Sequence, residues 1–189
     1  PGCLAFFKTP PLPVPTMLLN DSRARELLTR DRLHGMIATR PINHYYLSGY
    51  WGAFNTPVGY DGAYFSVFPR DEGQPAGMVL PALEIRRLET MGGTWMPNVF
   101  SYSSPAPGAA PLADGTERGT DYAGWPVAAG GELSPLEQRW RGIIGRLGAD
   151  MSPDARWALA RAVKAAGLEN SHVVVDDTRV YGWLAHCGL

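Results

Sequence analysis

The sequence predicts a layered α/β domain, and three observations carry that prediction. A one-sided helical pattern over residues 21–33 runs directly into Gly35-Met-Ile-Ala-Thr39, a short apolar segment of the kind that forms a strand buried on both faces. Two apolar, β-branched and aromatic segments, 62–68 and 77–80, flank a polar turn at 69–75, the pattern of a hairpin. Near the end, His172-Val-Val-Val-Asp176 lies between capped helical patterns and reads as another buried strand.

Taken in order, residues 1–19 form an arm, because Pro10, Pro11, Pro13 and Pro15 donate no backbone hydrogen bonds and favour an extended path. The domain itself is expected over 20–189. In 21–33, Ala24, Leu27, Leu28 and Leu33 make the buried stripe, and the interleaved arginines are solvent cover. Pro41 opens a short helix through Tyr46 that Gly49 closes, since proline suits a first turn and glycine a C-terminal cap. Residues 50–59 are aromatic and loop-like. A helix over 81–91, with Leu83, Leu88 and Met91 inward, ends at Gly92-Gly93, and a strand follows over 95–102 that Pro97 confines to an edge or a bulge.

Residues 103–131 are rich in Pro, Gly and Ala and form a long insertion, either an ordered excursion or a surface loop. Ser134-Pro-Leu-Glu137 is a capping box with proline at the first helical position, and Ser152-Pro-Asp154 opens a second helix in similar fashion. These helices extend to about Leu147 and Ala166, and a last helix over 178–187 is capped by Asp177. The predicted order is α-β-α-β-β-α-β-α-α-β-α, with no internal repeat.

The bulk properties exclude several function classes. A chain of 189 residues with 45% hydrophobic content suits one domain with a real core. Lys plus Arg (17) balances Asp plus Glu (18), so there is no excess positive field to hold nucleic acid or an anionic membrane. No apolar run approaches the ~20 residues needed to cross a bilayer. Cys3 and Cys187 lie near opposite ends with no CxxC spacing, which argues against a metal finger and makes a reduced, cytoplasmic setting the default expectation.

Chemistry-bearing clusters are sparse. Of the histidines, His34, His172 and His186 read as structural or surface groups, and His44 stands apart because it adjoins an aromatic segment. Asp176-Asp177 follows a strand, where carboxylates can hold metal, yet helix capping accounts for Asp177. Gly92-Gly93-Thr94 lacks the lysine and spacing of a phosphate loop and reads as a helix stop. A hydrolase built on His44 with Ser48 lacks a visible orienting acid. The segment Asn43-His-Tyr-Tyr-Leu-Ser-Gly-Tyr-Trp-Gly-Ala-Phe-Asn55 places six rings in thirteen residues. Such rings bury much area at little entropic cost and suit a recognition surface, and Tyr45 and Leu47 filling the core is the structural alternative.

Met36-Ile-Ala-Thr-Arg-Pro-Ile-Asn43, followed by Tyr46-Leu-Ser-Gly49, resembles the strand, asparagine and Tyr-Leu-Thr/Ser-Gly signature of the N-terminal domain of the creatinase/prolidase/aminopeptidase P family. The preceding helix, the hairpin over 63–80 and Val173-Val-Val-Asp-Asp177 extend the resemblance over about 20–189, apart from the insertion. It implies a three-layer domain, a mixed β-sheet flanked by helices and ribonuclease-H-like in outline. In that family this domain precedes a pita-bread catalytic domain, whose two divalent metal ions (Mn, Co or Zn) sit on aspartates, a histidine and glutamates. None of those ligands can be assigned in this chain, so no catalytic residue, metal ligand or cofactor is expected in it.

The resemblance further implies a domain without catalysis of its own, serving oligomerisation and substrate-access control in a metallopeptidase of Xaa-Pro type. Its expected partners are its own C-terminal catalytic domain, a second copy in a homodimer, and a short peptide or small amide substrate. The substrate-access loop would comprise His44, Trp51, Phe54 and Asn55. Creatinase-like members grip a carboxylate with an arginine in this loop, and residues 50–60 contain neither arginine nor lysine, which argues against creatine. The alternatives are a domain of a creatinase-like C–N hydrolase and a free-standing small-molecule or peptide-binding module.

Overall fold

A computed structural model of the chain describes residues 17–53, 64–103, 131–148 and 151–189. Most of the predicted arm and insertion, together with Phe54 and Asn55, lie outside these described residues.

Each predicted element forms, in the predicted order. Helix α1 (Asp21–Arg30) is capped by Asn20, whose side-chain oxygen accepts from the Arg23 amide at 3.1 Å, and it buries Ala24 and Leu28. Strand β1 (Gly35–Ala38) follows. Helix α2 (Pro41–Ser48) begins on proline, two residues longer than expected, and ends on Gly49 at φ 70°, the left-handed conformation that glycine adopts without a Cβ penalty. Strands β2 (Phe65–Pro69) and β3 (Gly77–Pro81) form the predicted antiparallel hairpin and are buried throughout.

A 3-10 turn, Ala82–Glu84, leads into helix α3 (Ile85–Thr90), and this turn alters the expected inward stripe. Ala82, Glu84, Ile85 and Leu88 are buried, whereas Leu83 and Met91 are 52% and 54% exposed. At three residues per turn the 3-10 segment rotates Leu83 off the face that an uninterrupted α-helix would give it. Strand β4 (Asn98–Tyr102) starts one residue after Pro97 at the sheet edge.

Helix α4 (Pro135–Gly148) opens with the capping box intact: the Ser134 amide donates to Glu137 Oε2 at 2.8 Å, and the Glu137 amide donates to Ser134 Oγ at 3.3 Å. For helix α5 (Ala155–Ala165) the cap is Asp154, which accepts from the amides of Arg156 and Trp157. Ser152 is instead buried and bridges Tyr102, its amide donating to the Ser101 carbonyl at 2.9 Å. Strand β5 (Val173–Val175) and helix α6 (Arg179–His186) complete the chain.

The sheet order is β4-β3-β2-β1-β5, antiparallel within β1-β2-β3 and parallel at both flanks. β5 is thus an edge strand, so Val174 is 44% exposed rather than buried as expected. Alternation along the strands sends Ala38, Phe68, Met78 and Leu80 to one face, against Ala24 and Leu28 of α1, Leu47 of α2, Leu88 of α3 and Ile143 of α4. Ile37, Phe65, Val67 and Val79 point the other way, onto Ala158, Leu159 and Val163 of α5 and Val180 and Leu184 of α6. The result is a three-layer α/β fold with helices on both faces of a mixed sheet. Cys187 is buried in the second layer interface. Among the described residues, no helix is long and apolar enough to cross a membrane.

Candidate functional site

Helix α2 and the four residues after Gly49 bring several large rings to the surface on a rigid support. Ile42, Tyr45 and Tyr46 lie at i, i+3 and i+4, one side of the helix, and all are exposed. Trp51 packs edge-to-face on Tyr45, with ring centroids 5.5 Å apart, and is 37% exposed. Tyr45 is accordingly part of the surface, while Leu47 fills the core.

Both ends of α2 are secured by residues distant in sequence. At its N-terminus Arg40 supplies no side-chain cap. The Asp176 carboxylate takes that role, accepting from the amides of Thr39 (2.8 Å) and Arg40 (2.9 Å) and from Asn43 Nδ2 (3.0 Å). A carboxylate there satisfies the two amides just before the helix and opposes the positive end of the helix dipole. Asn43 of the family-like motif thus ties the helix to the end of β5. Replacing Asp176 with alanine should lower stability by about 1–2 kcal/mol, the usual cost of a lost cap, read as a lower denaturant midpoint at unchanged slope.

At the C-terminus the last carbonyls of α2 accept from side chains of the segment before β4. Thr94 Oγ1 donates to the Ser48 carbonyl at 2.6 Å and Trp95 Nε1 to the Leu47 carbonyl at 2.7 Å. The residues that follow are held by Glu84. Its carboxylate, 2% exposed, accepts from the Tyr50 hydroxyl at 2.7 Å and from the Ala53 amide at 3.1 Å. Burial, and then the adjacent Glu84, push the Tyr50 phenol above its ordinary range, so it stays protonated and donates. Gly52 lies against the Tyr64 ring so closely that a Cβ would stand 2.1 Å from it. Trp51 is therefore fixed between two anchored neighbours.

His44 is on the inner side of α2 and has no exposed surface. Its Nδ1 pairs with Ser66 Oγ at 2.9 Å, its Nε2 stands 3.4 Å from Ser48 Oγ, and its ring stacks on Tyr64. A wholly enclosed imidazole holds the helix on the sheet and touches no ligand, and the Ser48 hydroxyl beside it is equally buried and donates to the His44 carbonyl at 2.8 Å. Burial lowers its pKa from 6.5 to about 3. Between these values the unfolded chain binds a proton that the folded chain does not. Stability is then fully present above pH 6.5 and falls by about 1.4 kcal/mol per pH unit as the solution is acidified towards pH 3. Denaturant titrations at successive pH values should show this slope, and His44→Gln should flatten it.

The sequence pointed to His44, Trp51, Phe54 and Asn55. Trp51 stands at the surface, His44 is enclosed, and Phe54 and Asn55 are outside the described residues. Tyr45 and Tyr46 join the surface, and Glu84, which no periodicity distinguishes, anchors it. His34 accepts from the His172 amide at 3.2 Å and His186 lies edge-on to Trp157, both structural placements.

Among the described residues no group of three or more His, Cys, Asp or Glu is placed to hold a metal ion. Asp176 caps α2, and Asp177 pairs with Arg179, whose hydrogen bonds hold its carboxyl down to about 2. The described residues do not fit the two divalent ions that the family resemblance implies.

Fold and site together define a three-layer α/β domain that presents an aromatic surface at one end of a helix tied to its sheet. No protein-family model and no curated protein matches the chain. Solved structures similar to part of it are the creatinase/prolidase N-terminal domain of an X-Pro dipeptidase from Streptococcus pyogenes (22% identity, TM-score 0.33), a creatinase-N superfamily domain of a dipeptidase from Streptococcus thermophilus (20%, 0.33) and a proline dipeptidase from Streptococcus agalactiae (23%, 0.32). Each alignment covers 44% of this chain and 55–56% of the other, so the chain spans little over half the length of the structures it matches.

Proposed function

We propose that this chain is a non-catalytic N-terminal domain of a dinuclear metal-dependent hydrolase of the aminopeptidase P/prolidase type, and that it serves oligomerisation and control of substrate access. The observation that carries the reading is the family-like motif itself. Asn43 and Tyr46-Leu-Ser48 sit on α2, which follows β1 and is capped by Gly49, beside the exposed Tyr45 and Trp51 pair. The motif, and not the weak structural likeness, supports the assignment.

In this reading the aromatic surface and the loop that continues through Phe54 and Asn55 face the active site supplied by a C-terminal catalytic domain, of this chain or of a second copy in a homodimer. The rings exclude water and pack on a short peptide, and the absence of arginine and lysine over 50–60 leaves no cation to grip a free carboxylate. The two metal ions, Mn, Co or Zn, reside on residues outside this chain, and the working compartment is the cytoplasm.

The test replaces residues 51–58 with a glycine-serine linker in the protein encoded by the whole reading frame. A change in substrate preference or in oligomer size is expected. Unchanged preference together with unchanged size would contradict the reading.

A further inference from the structure

The described chain begins beside the aromatic surface. The Asn20 amide lies 3.4 Å from the Tyr46 hydroxyl, and Met17 and Leu18, three and two residues before it, are 41% and 40% exposed. Only Thr16 separates Met17 from the run Pro10-Pro-Leu-Pro-Val-Pro15. Closely spaced prolines lack amide donors and favour polyproline II, a conformation whose ordering cost is low because it is already populated before binding. The partners that suit such a run are exposed aromatic rings, which pack flat on pyrrolidine rings without requiring backbone hydrogen bonds.

Tyr45, Tyr46 and Trp51 make a surface of that kind. They are 37%, 46% and 37% exposed, the tyrosines flank Ile42 on one side of α2, and Trp51 stands edge-on to Tyr45. We propose that this surface binds proline-rich segments and that its occupant is the chain's own Pro10-Pro-Leu-Pro-Val-Pro15 run, folded back onto Tyr46, Tyr45 and Trp51 of the same molecule. The tether is short, since Tyr46 contacts Asn20 and the run ends five residues before it, which gives a high effective concentration for the intramolecular pairing. Length matches as well: six residues of polyproline II span about 19 Å at roughly 3.1 Å per residue, against about 11 Å for the two turns of α2 with Trp51 beyond them. The run carries no charge, so the pairing is insensitive to salt. This inference does not depend on the hydrolase assignment and holds for a free-standing domain.

The experiment uses the full chain with 15N-labelled tryptophan, the Trp51 indole signal being assigned through Trp51→Phe. Replacing Pro11, Pro13 and Pro15 with serine should shift the Trp51 signal and leave the signal of Trp95, whose indole is bonded to the Leu47 carbonyl, in place. A synthetic peptide of residues 8–16 added to that variant should restore the Trp51 position in a saturable manner. An unchanged Trp51 signal would overturn the proposal. So would a signal in the unsubstituted chain that varies with protein concentration, because that places the run on a second copy. If the triple variant also moves Trp95, the single Pro13→Ser variant is read by the same criteria.

Discussion

Replacing Phe68 with alanine is expected to lower the unfolding free energy by about 3–5 kcal/mol, the range for large aromatic truncations in a core that relaxes only in part. Phe68 is on the central strand β2, wholly buried and paired in register with Met36. Its ring meets the edge of Trp95 at 6.5 Å, and the Arg25 guanidinium lies 4.7 Å from its centroid. That arginine also donates to the Pro69 carbonyl at 3.0 Å and to Asp21 at 2.9 Å, so its charge is satisfied while its plane covers the ring. Loss of the ring removes dispersion contacts from α1 and from the segment before β4 together. A fall in the denaturant midpoint well beyond that of Asp176→Ala should follow, and an equal or smaller fall would show that the surroundings collapse onto the vacated space.

Replacing Glu84 with alanine is expected to cost about 2–3 kcal/mol, because it strands a buried phenol and a backbone amide without their acceptor. The consequence extends beyond stability. Tyr50 and Ala53 flank Trp51, and both are held by this one carboxylate. In Glu84→Ala the edge-to-face contact of Trp51 with Tyr45 should loosen, which Trp51 emission in the folded variant would report as a red shift relative to the parent. Glu84→Gln keeps an acceptor for both donors and should restore most of the signal. Stability lost without any change at Trp51 would mean that the rings hold Trp51 in place unaided.

The fold was largely legible because its decisive signals are local. Pro41 and Gly49 mark the two ends of α2, Ser134 and Glu137 state the capping box, and the polar turn between two apolar runs states the hairpin. Exposure was less legible where it depends on neighbours. Val174 reads as a core strand residue in sequence and is exposed because β5 has a partner on one side only. Leu83 and Met91 follow a helical period that the 3-10 turn at Ala82–Glu84 interrupts.

The site was legible only in outline. The ring-rich segment from Asn43 onward announced itself by composition, yet composition does not tell an inward His44 from an outward Tyr45; the sheet decides that, through Ser66 on β2 and the stacked Tyr64. The two carboxylates that organise the surface act across long separations, Glu84 on Tyr50 at 34 residues and Asp176 on Arg40 at 136. No spacing rule encodes pairings of that range, because they arise from sheet topology.

The proposed role as an accessory domain of an Xaa-Pro metallopeptidase would be tested by hydrolysis of a panel of Xaa-Pro dipeptides and tripeptides. The panel would be run with manganese, cobalt or zinc, on this chain and on the protein encoded by the whole reading frame. Turnover by the whole-frame protein with none by this chain is the expected result, and the absence of turnover by both under every metal would contradict the claim.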